Sequence, residues 1–412
     1  MKKSLFAVAA VTAFAGAAQA QSSVTVYGII DAGFNGISQR AGTNAKSTTN
    51  GFTGTGAETT SRLGFKGTED LGGGARAFFT YEVGMDPQTS GALLGNSRQA
   101  FVGVGKKGLG NTAIGTQYTV VHNAVSATDV GQSNNVIGSV IRPNGGIDAT
   151  NNAGQGSVAR SYTVRTTNML SFQSDKFAGF GVNAMYVNSG KDETQSNKTT
   201  NVGSFNPDTG SPQVKATPST IGGNTNFTGW GLSADYTWQK LYATAAYQSL
   251  KQEQTSTGNA FTGSTTNVSF PGTSTVANNL NTTDNSWYAA AVYDFGILKG
   301  YLNYVNQKMS SNFNSGNYYS RSAQQIGVRS YITPVIEGWA SVGNGKLTLE
   351  TAGTTGTAKA SSNFNAWQLG SNYYLSKRTN LYAIYGQTIG SGNVSVTGTA
   401  ASGYALGLRH TF

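Results

Sequence analysis

Two-residue alternation of side-chain character, in segments of about ten, is the feature that most limits what this chain can become. The last ten residues, Gly403–Phe412, show it most cleanly. Tyr404, Leu406, Leu408, His410 and Phe412 share one parity; Gly403, Ala405, Gly407, Arg409 and Thr411 share the other. Successive side chains of a strand point to opposite faces, so one face is apolar and ends in an aromatic while the other is small or polar. Ten residues rising ~3.3 Å each and tilted ~45° climb roughly 23 Å, the height of the apolar band of a transmembrane barrel. A strand of a soluble sandwich would alternate in the same way. Phe412, however, is a liability on an edge in water and an anchor on a strand that closes a barrel in lipid.

Composition narrows the choice. Only 11% of the 412 residues are charged, against ~25% in soluble domains, yet hydrophobic residues reach only 38%. That pairing argues against both a helical membrane protein and an ordinary soluble one. Glycine is abundant (55) and proline scarce (7), while 20 tyrosines and 19 phenylalanines are too many for low-complexity disorder. Met1–Ala20 reads as a secretory signal peptide: Lys2 and Lys3, a short apolar run over Leu5–Ala15, then Ala18-Gln19-Ala20 as the cleavage site. Residues 21–412 are then expected to form one barrel, and loss of two lysines takes the net charge from +10 to +8. The chain has no cysteine, which excludes thiolate metal sites and cysteine nucleophiles. After the signal no apolar run is long enough to span as a helix.

In chain order, Val24–Phe34 alternates, and a polar stretch to about Glu58 reads as a long loop. Thr59–Thr68 sets Leu63 and Phe65 against Arg62, Gly64 and Lys66. After the tight turn Glu69–Gly74, Ala75–Val83 sets Ala77, Phe79, Tyr81 and Val83 against Arg76, Phe78, Thr80 and Glu82. The rhythm continues through Ser97–Val104, Thr112–Thr119, Arg165–Ser174, Phe180–Asn188, Phe227–Trp238, Leu241–Leu250, Ser286–Phe295 and Gly300–Lys308. Gln324–Thr333, Val335–Gly343, Phe364–Leu375, Leu381–Ile389 and Gly403–Phe412 complete it. These make about 16 strands, with seven short and eight long connections, as an even up-and-down barrel with both termini on one side requires. The predicted fold is therefore all-β, a transmembrane antiparallel barrel. Trp230, Tyr236 and Trp238, then Trp287, Tyr293 and Phe295, then Trp367 and Tyr373 share parities near strand ends, as aromatic girdles at two interfaces would.

Four phrases carry a family resemblance: SSVTVYGIIDAG (22–33), SRLGFKGTEDLGGGARAFFTYE (61–82), YYLSKRTNLYAIYG (373–386) and GLRHTF (407–412). The chain resembles the general porins of beta-proteobacterial outer membranes from Gln21 to Phe412, most strongly at both ends. The resemblance implies a homotrimer of sixteen-stranded barrels with the third long loop folded into each pore. It also implies passive diffusion of small hydrophilic solutes, with anion preference common in the more basic members. Outer-membrane lipid and lipopolysaccharide are the implied surroundings. Tyr404, Leu406, Leu408 and Phe412 are the implied C-terminal signal to the barrel assembly machinery.

The third long connection is Val120–Arg160. Its length is unusual for a mere connector, its only acids are Asp129 and Asp148, and it carries Arg142 and Arg160. Arg62, Lys66, Arg76 and Arg98 fall on the parity opposite the lipid-facing side chains (Leu63 and Phe101 among these), and Arg165 does so in its own strand. A guanidinium at the lipid midplane of a barrel costs ~2–4 kcal/mol, so all five are expected to face the lumen. Arg62, Arg76 and Arg98 come from consecutive strands and are expected to form one row favouring small anions. They would alternatively brace the wall by pairing with Glu82, Asp31 or loop acids. Relatives usually have arginine in a Gly-Arg-Gln phrase where this chain has Gly115-Thr116-Gln117, which predicts one lumenal charge fewer.

Other functions fit poorly. Gly103-Val-Gly105-Lys-Lys-Gly108 matches GxGxxG, but Leu109–Thr119 continues as strand, so it reads as a turn and no cofactor is expected. An outer-membrane hydrolase would need a catalytic histidine, and His410 lies on the lipid-facing parity, leaving His122 alone. Basic residues spread over alternating strands do not make a nucleic-acid patch. A substrate-specific phosphate or carboxylate channel is the nearest alternative, and an added adhesin role for the loops stays open.

Overall fold

The computed structural model describes residues 23–40, 46–88, 93–142, 165–205, 212–256, 282–312, 315–353, 356–392 and 400–412. The proposed signal peptide, Asp148 and Arg160 lie outside the described residues. The first strands are β1 (Ser23–Arg40), β2 (Lys46–Thr53), β3 (Arg62–Gly72), β4 (Ala75–Met85), β5 (Leu94–Lys106) and β6 (Gly110–Tyr118). Next come β7 (Arg165–Ser174), β8 (Phe180–Phe205), β9 (Pro212–Trp238), β10 (Leu241–Ser256), β11 (Thr282–Asp294) and β12 (Lys299–Ser311). The last are β13 (Tyr318–Thr333), β14 (Ile336–Gly353), β15 (Gly356–Tyr374), β16 (Thr379–Gly392) and β17 (Ala400–Thr411).

All pairings between these strands are antiparallel, and the sheet closes on itself. β1 pairs with β17 from Ile29–Thr411 to Arg40–Ala400, and with β3 from Ser23–Thr68 to Ile29–Arg62. Past Ile29 the β3 side of β1 is taken by β2, from Gly33–Thr53 to Arg40–Lys46. β2 and β3 thus share one place in a sixteen-place cylinder. This corrects the reading of the stretch up to Glu58 as loop: Lys46–Thr53 is a strand whose Ser, Thr, Asn and Gly residues carry no hydrophobic alternation. The seven tight turns fall where the sequence placed them, all at one end. At the other end several strands run on well past their apolar segments, β14 to Gly353 for example.

Closure fixes which face meets what. Val24, Val26, Val102, Val104, Ile326, Val328, Leu406 and Leu408 lie exposed on the outer face. Trp230 packs on Tyr247, Trp287 on Tyr304 and Trp367 on Tyr385, with ring centroids 5.2, 4.8 and 5.3 Å apart, towards the long-loop rim. Trp238, Tyr293, Phe295 and Tyr373 mark the short-turn rim, six to eight residues further along their strands and so ~20–26 Å away. One assignment reverses. Phe101 pairs with Thr80 on the inner parity, and Val102 and Val104 are the outward residues of β5.

Residues 119–142 lie on the inner face. Thr119 caps a helix, α1 (Val120–Thr128), by accepting the His122 N–H at 3.3 Å. Its apolar side, Val121, Ala124 and Val125, packs with Ala246, Tyr288 and Val305 of the wall. The chain then reaches Trp339, Tyr382 and Ile384 through Val130 and Val136. Nine residues are short for a helix legible by periodicity alone, and the sequence reading had this stretch as loop.

The outer face predicts a depth-dependent cost. Leu406→Arg should destabilise the refolded protein by about 2–4 kcal/mol in urea titrations in lipid vesicles, whereas Ser402→Arg, nearer the rim, should cost about 0–1 kcal/mol. Equal costs at the two positions would contradict the assignment of the outer face.

Candidate functional site

Charged side chains concentrate on the inner wall where β1, β3, β4, β5 and β7 adjoin. Glu82 of β4 is the hub. Its Oε1 accepts from Arg98 Nε at 2.7 Å and lies 3.7 Å from Arg62 Nη1, while its Oε2 accepts from the Tyr27 hydroxyl at 3.2 Å. Arg98 also donates to the Tyr118 hydroxyl at 2.7 Å. Arg165, opposite Tyr118 in the β6–β7 ladder, holds its guanidinium 5.5 Å from the centre of that ring. Tyr118 also stacks on His122 of α1, ring centroids 3.9 Å apart. Lys66 sits exposed, 5.5 Å from the Tyr27 ring centre. Three guanidinium groups against one carboxylate leave positive charge in excess around Glu82.

Arg98 arrives there by a bulge. Glu82 faces Gln99 and Val83 faces Ser97, so Arg98 is the extra residue, and the kink turns its side chain inward. Strict alternation through Phe101 gave the right face for Arg98 only because two errors cancelled. Arg76 does not join the row. The β3–β4 ladder sets Arg62 opposite Gly84 and Arg76 opposite Asp70, so Arg76 lies six residues along β4 from Glu82, ~20 Å away, where it donates to Asn111 Oδ1 at 2.8 Å. Thr116 pairs with Ala100 on the outward parity, so the departure from Gly-Arg-Gln removes no inner-face charge.

The remaining candidates serve the inner segment. Asp129 is buried and accepts the Ser133 N–H at 2.7 Å, closing the turn after α1. Arg142 reaches back to the Ser133 carbonyl. Asp31 stands opposite Arg409 in the β1–β17 ladder but forms no ion pair with an arginine among the described residues. It accepts the Thr59 N–H at 2.6 Å and the Tyr382 hydroxyl at 2.6 Å, holding residues 54–61 against the wall. Glu58 pairs with Arg409 at 3.4 Å.

Wall residues that sequence reading missed fasten 128–142. Arg329 is held by Glu337 through two bonds of 2.5 and 2.7 Å and donates to the Val130 carbonyl at 2.7 Å. Arg321 donates to the Val140 carbonyl. Gln368 and Asn134 exchange two bonds of 2.9 Å, and Gln368 also donates to the Val136 and Ile137 carbonyls. Arg409 was legible from its polar parity in the last strand. Arg321 precedes the alternating part of β13 and gave no such signal.

A closed cylinder, apolar outside and charged within, is now in place, and its sequence relatives can be set beside it. The profile of Gram-negative porins matches residues 7–393. The chain belongs to the Gram-negative porin family. This porin is 33% identical over 207 residues to an outer membrane porin protein of Bordetella pertussis, covering 47% of the chain and 50% of the relative. It is 33% identical over 195 residues to outer membrane porin protein 32 of Delftia acidovorans, covering 45% and 50%. The chain thus spans about half the length of these curated relatives. Among solved structures it is similar to the anion-selective porin from Comamonas acidovorans, with TM-score 0.66, 19% identity and coverage of 95% and 100%. It is also similar to OmpT of Vibrio cholerae, with TM-score 0.58, 14% identity and coverage of 95% and 98%. At such identity these two speak for the fold. The porin's place is the outer membrane.

The fastening predicts a measurable change. Gln368→Leu removes both bonds to the Asn134 amide and the donor to the Val136 and Ile137 carbonyls of the porin's inner segment, at about 1–3 kcal/mol. Single-channel records should show greater open-state current noise at similar mean conductance. A trace as quiet as the parent's would mean the segment is held elsewhere.

Proposed function

We propose that this porin is a passive, water-filled diffusion channel for small hydrophilic solutes, that it prefers anions, and that it works as a homotrimer. The excess of guanidinium over carboxylate around Glu82 carries the reading. Residues 119–142 lie against inner-face side chains of β10–β17, Val120 packs with Met169 and Met185 of β7 and β8, and His122 stacks on Tyr118 beside the basic cluster. In this reading they narrow the bore so that a passing ion travels close to Arg62, Arg98 and Arg165. A unit pair at ~4 Å is worth about 1 kcal/mol in full water and ~4 kcal/mol at an effective dielectric of 20. A narrow pore lies between these limits, enough to discriminate and weak enough to release. Glu82 braces two of the arginines at the same time, so bracing and selectivity are properties of one cluster. The Comamonas acidovorans structure being that of an anion-selective porin supports the preference.

The reversal potential in a potassium chloride gradient tests it. The parent channel should favour chloride, and the double variant Arg62→Gln, Arg98→Gln should lose about five-fold in chloride-over-potassium permeability, the equivalent of ~1 kcal/mol. The difference should shrink at 1 M salt, where the Debye length is ~3 Å. An unchanged reversal potential in a correctly folded variant overturns the assignment. Conductance that saturates at low millimolar phosphate would point instead to a substrate-specific anion channel.

A further inference from the structure

The glycine phrase at 103–108 has a use that its likeness to a nucleotide loop conceals. Gly103 and Gly105 are inner-face positions of β5. Gly105 stands in one ladder row between Arg76 of β4 and Asn111 of β6, and Gly103 stands between Phe78 and Ala113. Without a Cβ at 105, the Arg76 guanidinium crosses β5 and bonds Asn111 on the far side. A Cβ at 103 would collide with the Phe78 ring, which lies across that glycine. Arg76 and Phe78 are therefore laid flat side by side, the guanidinium carbon 5.8 Å from the ring centre. Phe101 adds a second ring, edge-on at 6.4 Å.

This bed is one wall of a cavity of about 430 Å³ whose roof is α1, through Val120, Asn123, Ala124 and Ala127. That volume falls within the range of small-molecule sites. Its charges are unequal. Asp235 on the opposite wall is matched by Lys176 at 2.9 Å, but Arg76 is exposed to the cavity and is held only by a neutral amide and a ring. Among the described residues no carboxylate pairs with it. A fixed, unmatched guanidinium beside two phenyl rings offers charge-assisted hydrogen bonds to an anionic group and an apolar face to a flat ring attached to it.

We propose that the cavity between α1 and the Gly103–Gly105 bed is a binding subsite for solutes that carry a carboxylate on an aromatic ring. The proposal rests on the channel reading and names a class of solute that would pause there. Its anion-holding end at Arg76 lies ~20 Å along β4 from Glu82, while the cavity reaches toward the Glu82 cluster through Gln99 and Tyr118.

Full-length porin reconstituted in planar bilayers, with benzoate and acetate as probes, tests it. Benzoate should reduce the single-channel chloride current in a saturable way at millimolar concentration, and acetate at the same concentration should not. Arg76→Gln should weaken the benzoate effect about ten-fold. Gly105→Ala, whose added methyl would displace the Asn111 and Arg76 side chains while keeping both, should do likewise and covers the case in which Arg76→Gln does not fold. Equal effects of benzoate and acetate, or block that survives in whichever variant folds, would overturn the proposal. The potassium chloride reversal potential of the same channels reports the anion preference separately. A porin without that preference could still bind benzoate, and one with it could fail to, so the two readings fall independently.

Discussion

Hydrocarbon offers no partner to a peptide N–H or C=O, and everything in this porin follows from meeting that demand within one sheet. A sheet with an edge leaves a row of groups unpaired; a ring of sixteen places does not. The join is where β17 meets β1, and it extends past the last assigned strand residue, since Gly28 and Phe412 exchange both backbone bonds at 3.1 Å. The closing pair thus reaches Phe412. Once the ring is shut, faces cease to be a local property: within the apolar band one parity points out to lipid and the other points to the interior. Short turns at one end and longer connections at the other then follow from strand count alone.

The glycine and aromatic content has a shared physical origin. Across the closing pair, the Phe412 ring fills the space left by the missing Cβ of Gly28, and Tyr404 lies on Gly36 in the same ladder. Inside, Tyr27 lies over Gly64, Trp339 over Gly370 and Phe364 over Gly345, each directly opposite its glycine. A glycine in a strand gives up side-chain packing, and a cross-strand ring restores it by covering the bare backbone. The pairing keeps rings flat against the wall, where they take little of the bore. The Arg76–Phe78 bed applies the same device with a guanidinium added. A composition that looks like low complexity is therefore specific at the level of ladder partners.

The interior is divided between two environments. From β10 to β17 the inner parity includes Ala246, Tyr288, Val305, Met309, Trp339 and Leu347, all buried, with residues 119–142 against them. Exposed to water, such a surface would be an apolar patch; covered by Val121, Val125, Val140 and Ile141, it becomes a core. The cover is also pinned by donors aimed at its carbonyls, from Arg321, Arg329 and Gln368. The buried Arg329 guanidinium is tolerable here because Glu337 matches it, and Arg321 lies over the Phe364 ring. The charged cluster around Glu82 stands on the other part of the wall, from β3 to β5. The inner segment rests where the wall is apolar, and the unequal charge lies beside it.

Much of this was legible from alternation, and the failures occur where alternation loses its meaning. In β17 one face is apolar and the other is small or polar, so parity reads directly. In β11 both Trp287 and Tyr288 are large aromatics, and only the cover over Tyr288 distinguishes inside from outside. The inner segment was legible as a long connection, but its anchors on β13–β15 were not, because no local pattern relates Asn134 to a glutamine 234 positions away. Ladder register was the other hidden quantity. Arg62, Arg76 and Arg98 share a face, yet the tight turn after β3 fixes Arg76 opposite Asp70 and carries it away from the other two. A bulge does the reverse for Arg98, bringing to Glu82 a side chain that unbroken pairing with Phe101 would have turned toward lipid. Parity sorts residues between two solvents, while register decides which of them meet. Only the first is written in the alternation.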